Sequence, residues 1–155
     1  MVEFLIQDNV RVIEVRFCPS LHTCEGLDND QIVQAVIKGY SSGVKNAPFK
    51  VIGGIIICSL RSLGVEHSAE MVDLAYKYFE DKTYEESVVG WDIAGHEGLY
   101  PLQALEQAMI KCKNLKLPMT IHAGEWGLND EFETVSNLKL AAKYADRIGH
   151  ALTLS

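Results

Sequence analysis

Five short runs rich in β-branched residues recur along the chain, and a stretch of helical periodicity separates each from the next. The runs are RVIEVRF (11–17), GGIIICSLR (53–61), VVGWDIA (88–94), MTIHA (119–123) and RIGHA (147–151). Helical patterns fill roughly 28–46, 68–80, 100–116 and 131–145. In the second of these, Met71, Leu74, Ala75 and Tyr78 share one face and Ser68 stands where a start is expected. Gly39 and Gly43 weaken the first. Strand starts lie roughly 30 to 40 residues apart, the length of one βα unit, which predicts a parallel sheet with right-handed crossovers. No linker or low-complexity tract interrupts the pattern, so residues 1–155 are expected to form one domain.

The strands also say what kind of sheet to expect. In VIEVRF, Ile13, Val15 and Phe17 take one face while Glu14 and Arg16 take the other. A sheet covered by helices on both faces has no place for charges in mid-strand. A barrel does, because its inner face holds a polar layer whose members pair with one another. Arg61, Asp92, Thr120 and His122 fit the same inner set, and Glu14 is expected to pair with an arginine without taking part in chemistry. The expected fold class is therefore α/β, a partial (β/α)8 barrel of the TIM type with about five parallel strands and helices on the outer face. A closed barrel takes about 200 to 250 residues. This chain opens in what reads as the tail of a helix and closes just after a strand, so it reads as an incomplete barrel.

Chemistry-bearing residues gather at one end of this sheet. His122 and Glu125 stand at the C-terminal end of the fourth strand, where barrels of this type place their active sites, with Gly124 between them. His150 takes the equivalent position on the fifth strand, and Gly95, His96 and Glu97 follow the third. Imidazole with carboxylate suits zinc or another divalent ion. The sequence contains no H-E-x-x-H, P-loop or G-x-G-x-x-G. His22 and His67 fall in polar stretches and are expected to be solvated.

The formal charge of -7 argues against a nucleic-acid or anionic-membrane surface. No apolar run approaches the ~18 residues of a membrane span. MVEFLIQDN lacks a basic segment of the kind that opens a secretion signal. The four cysteines form no C-x-x-C and are expected to be reduced and buried, which predicts a cytoplasmic protein.

With those residues in place, the chain resembles the adenosine deaminase family of zinc hydrolases. EVRFCP (14–19), WDIAGHE (91–97), HAGE (122–125) and RIGHA (147–151) match its motifs in the family's order, over strands two to six of its barrel. The resemblance implies that His122 is a zinc ligand and that Glu125 protonates purine N1. It implies that His150 orients or deprotonates the attacking water, and that the Gly95 backbone N–H meets purine N3. The expected substrate is a purine nucleoside, adenosine or 2′-deoxyadenosine. The acidic loop WGLNDE (126–131) modestly disfavours a phosphate-bearing one.

The family's zinc also uses an H-x-H pair and a late aspartate. No H-x-H occurs here, so His122 is the single family ligand expected, with His96 a conceivable substitute beside His122 and His150. Turnover by the chain alone is not expected. The alternative expectation is a short non-catalytic form that binds a purine or self-associates through open sheet edges.

Overall fold

In the computed structural model the described residues are 1–81, 83, 88–125 and 131–153, with 131–133 described by backbone alone. The strands are β1 (Val12–Phe17), β2 (Ile52–Leu60), β3 (Val88–Ala94), β4 (Met119–Ala123) and β5 (Arg147–His150). The helices are α1 (Val2–Gln7), α2 (Asn29–Lys45), α3 (Gly64–Glu80), α4 (Glu106–Asn114) and α5 (Glu131–Tyr144). All four strand pairings are parallel, and the spatial order β1-β2-β3-β4-β5 repeats the order in the chain.

Side chains of alternate strand residues divide between two faces. Ile13, Ile55, Ile57, Trp91, Ile93, Met119 and Ile121 are buried on the helix-covered face. They form one core with Val33 and Ile37 of α2, Met71 and Ala75 of α3, Met109 of α4 and Ala141 of α5. Trp91 satisfies its indole N–H there on Ser59 Oγ at 2.8 Å.

The other face is polar and concave. In a flat sheet, β1 and β5 would lie about 19 Å apart across four strand spacings. Arg147 nevertheless donates from Nη2 to Glu14 Oε2 at 2.6 Å, so the sheet is strongly curled. On the same face Arg16 Nε lies 3.4 Å from Asp92 Oδ2. The polar layer expected from the period-two charges in β1 is present, including the Glu14–arginine pair. The molecule is a curled half-barrel with its helices outside. Among the described residues, β1 and β5 each have one strand neighbour.

Helix α2 covers the stretch expected at 28–46, running unbroken through Gly39 and Gly43 from a strongly specified start. Gln31 N–H donates to Asp28 Oδ1 at 2.8 Å, while Asp28 N–H donates to Gln31 Oε1 at 3.0 Å, a capping box. Helix α3 begins at Gly64 rather than Ser68, growing directly out of a 3-10 turn at Arg61–Leu63. That turn also removes Arg61 from β2, which ends at Leu60.

All four cysteines are unpaired. Cys18, Cys58 and Cys112 are buried, and burial pushes the Cys112 thiol up to about 12. Cys24 is exposed, contrary to expectation, because it lies in the open segment between β1 and α2. Among the described residues no helix is long and apolar enough to cross a membrane.

Candidate active site at the C-terminal rim

His122 is the penultimate residue of β4 and faces the concave side. Its Nδ1 lies 3.2 and 3.0 Å from the two carboxylate oxygens of Asp92 and 3.2 Å from the Ile93 carbonyl. The ring is thereby fixed through one nitrogen, and Nε2 is the atom left for a ligand. A carboxylate behind a histidine in this way is the arrangement that orients metal-bound imidazoles.

Asp92 is fully buried. It also accepts from Thr120 Oγ1 at 2.5 Å, and Cys58 Sγ lies 3.5 Å from it. Burial raises the Asp92 carboxyl. Hydrogen bonds from His122 and Thr120 and the charges of His122 and Arg16 outweigh that, and hold it below the usual carboxylate range.

After His122 the chain turns sharply. Gly124 has φ +74°, and a Cβ on it would lie 3.0 Å from Leu138 Cδ2 and 3.1 Å from Ala151 Cα. Both conformation and space therefore require glycine. Next door, His150 and Ala151 hold φ of +71° and +54°, a conformation costly for residues with a Cβ. It is held by Ala151 N–H donating to Ala123 O at 2.9 Å and Leu152 N–H donating to Gly124 O at 3.0 Å. Strain of this kind gathers at functional sites. It brings the His150 ring to 5.2 Å from that of His122, and His150 Nε2 to 3.6 Å from Glu125 Oε2.

His122, Glu125 and His150 thus converge. Glu125 and His150 keep 42% and 34% of their side chains exposed, so a ligand in the concave face can reach both. A carboxyl beside an imidazole can pass a proton in either direction. Gly95 follows β3 on the same rim, where a Cβ would lie 3.4 Å from the Arg61 backbone nitrogen.

His96 does not extend this group. Its Nδ1 accepts from Leu99 N–H at 3.2 Å, closing its own turn. Among the described residues, no group of three or more His, Cys, Asp or Glu is arranged to hold a metal ion. His67 is half-buried in α3 rather than solvated, with Nε2 3.0 Å from Ser20 Oγ, and burial lowers its pKa. His22 is exposed. The acidic loop at 126–131 has no described side chains.

Glu97 and Arg61 lie elsewhere than expected. Each is 3% exposed, with Glu97 beneath the rim rather than on it and Arg61 outside the concave layer. The sequence signal available for both was a charge placed directly after a strand.

A sequentially ordered parallel sheet, curled until side chains of its outer strands meet and carrying histidines and carboxylates at its C-terminal rim, defines an arc of an α/β-barrel. The comparisons give the family. The family model for adenosine deaminase matches residues 1–154, and the chain belongs to the adenosine deaminase family.

An adenosine deaminase from Enterococcus faecalis is 34% identical over 148 residues, covering 96% of this chain and 40% of that protein. The chain thus spans about 40% of the length of the curated relatives it matches. Among solved structures, adenine deaminase from Arthrobacter aurescens superposes with a TM-score of 0.77 at 21% identity, covering 98% of this chain and 43% of that one. An amidohydrolase from Burkholderia ambifaria with bound zinc also gives 0.77, at 20% identity, covering 99% and 41%. At these identities the likeness to the solved structures is one of fold.

Proposed function

We propose that this chain forms the central arc of a zinc-dependent deaminase that hydrolyses adenosine or 2′-deoxyadenosine to the inosine nucleoside and ammonia. The observation that carries the reading is the convergence of His122, Glu125 and His150 at one rim of a half-barrel belonging to this family. Zinc, when bound in such a centre, lowers the pKa of water toward ~7 and makes hydroxide available.

In this reading His122 offers Nε2 to the metal, because Asp92 and the Ile93 carbonyl engage Nδ1. Glu125 delivers a proton to purine N1. His150, beside it, orients the attacking water or takes its proton. The Gly95 N–H, at the end of β3, donates to purine N3. The curled concave face is where the purine lies. Unpaired cysteines support a cytoplasmic location.

One histidine does not make a zinc centre, so the 155 residues alone are read as contributing to a site rather than completing it. A second reading, a purine-binding or self-associating module, is favoured by β1 and β5 each having one strand neighbour among the described residues. Exposed Val12 on β1 supports it too.

The test is adenosine turnover by the purified chain with added zinc, beside Glu125→Gln, with sedimentation equilibrium on the same samples. The expected result is no turnover in either protein and a mass above that of a monomer. Turnover lost in Glu125→Gln would show a complete metal centre within these residues and overturn the incomplete-centre reading. A monomer at high concentration would remove the self-association reading.

A further inference from the structure

The buried pair of Arg61 and Glu97 is not used by the site as described, yet it ties together the segments that follow β2, β3 and β4. Glu97 follows β3, and its Oε1 accepts from Glu125 N–H at 2.8 Å while Oε2 accepts from Gly124 N–H at 3.1 Å. Arg61 follows β2 and donates from Nη2 to the His122 carbonyl at 2.6 Å and from Nη1 to the Tyr100 carbonyl at 3.1 Å. Arg61 Nη2 lies 4.0 Å from Glu97 Oε2, and the two side chains are 0% and 4% exposed. Asn137 of α5, also fully buried, places Nδ2 3.4 Å from Glu97 Oε2 and accepts from Leu102 N–H at 2.8 Å.

A buried ion pair is a poor way to gain stability, because desolvation offsets most of the attraction. Its geometry here does something an apolar pair cannot. Two consecutive N–H groups aimed at one carboxylate fix the peptide planes on either side of Gly124. That determines the direction in which the Glu125 side chain leaves the backbone. The His122 carbonyl is pinned by Arg61 while its ring is pinned by Asp92, so the residue is held at both ends.

We infer that Arg61 and Glu97 are positioning residues, a buried brace that sets the backbone of residues 122–125 so that Glu125 stands over His150 and His122 presents Nε2. The inference rests on the proposed site for the meaning of those positions. Its test reads the brace itself, so it stands or fails separately from deamination.

The test is residue-resolved amide exchange and backbone chemical shifts in the full chain for Glu97→Gln, Glu97→Asp and Arg61→Lys. In Glu97→Gln, Gly124 and Glu125 amides are expected to exchange at least about tenfold faster, the loss of a charge-assisted hydrogen bond each. Amides of β2 and β3 should stay unchanged. Glu97→Asp, which keeps the charge on a shorter arm, should restore part of the protection.

Arg61→Lys keeps the buried charge but loses the planar fork. It should shift the His122 carbonyl carbon and leave the strands alone, and it serves as the test if Glu97→Gln does not fold. Unchanged exchange at 124 and 125 in Glu97→Gln would overturn the inference. So would acceleration spread evenly over the chain, which marks a pair that only stabilises the fold. An unmoved His122 carbonyl in Arg61→Lys would do the same.

Discussion

Replacing Gly53 with alanine is expected to destabilise the chain by about 3 kcal/mol or more, and to open the sheet at β1 first. Gly53 pairs with Ile13 across the β1–β2 ladder and has φ +134°. A Cβ there would lie 1.9 Å from the Ile13 carbonyl oxygen and 2.6 Å from its carbon. That carbonyl cannot swing away freely, because Tyr40 of α2 donates its hydroxyl to it at 2.8 Å. An L-residue in a left-handed backbone costs about 1–2 kcal/mol, and overpacking adds about 1–3 kcal/mol. Urea denaturation of the Gly53→Ala variant checks this. A shift worth less than about 1 kcal/mol would mean that β1 relaxes away from β2 at little cost.

Asp92→Ala is expected to cost about 3 kcal/mol and to free the His122 ring. Asp92 gathers Thr120, His122, Cys58 and Arg16 around one fully buried carboxylate, so its removal leaves several polar groups facing an empty site. Arg16 keeps 42% of its side chain in solvent, which limits the penalty for the charge left behind. In any assembled metal centre that includes this chain, the same change should weaken zinc binding about 10- to 100-fold, since His122 would lose the partner that orients it. Thermal denaturation reads the first effect and competition with a chelator the second. Full zinc affinity in Asp92→Ala would show that the Ile93 carbonyl alone orients the ring.

Most of the sheet was legible because its signal is local. Every observed strand overlaps a β-branched run. The period-two placement of Glu14 and Arg16 by itself distinguishes a barrel from an open sheet. The same pattern predicted the Glu14 ion pair, though its partner, Arg147, lies 133 residues away and becomes a neighbour only through curvature.

The start of α3 was misplaced for an equally physical reason. No side chain caps it, and it continues a 3-10 turn, so the usual Ser or Asp signal is absent. Glu97 was expected on the rim because a carboxylate after a strand is ordinarily solvated. The groups that make its burial tolerable come from Gly124, Glu125, Asn137 and Arg61, and only the folded chain brings them together. His122, Glu125 and His150 were found as strand-end residues. Their mutual approach depends on the strained turn at His150 and Ala151, which no short-range pattern announces.

The most direct test of the proposed function grafts this chain into a complete enzyme. Residues 1–154 would replace the matching segment of the Enterococcus faecalis relative, and adenosine-to-inosine turnover would be measured with and without Glu125→Gln. The chimera is expected to bind zinc and turn over adenosine, and Glu125→Gln to lower turnover by about 100- to 10,000-fold. A folded, zinc-loaded chimera that leaves adenosine untouched, or one indifferent to Glu125→Gln, would contradict the proposed function.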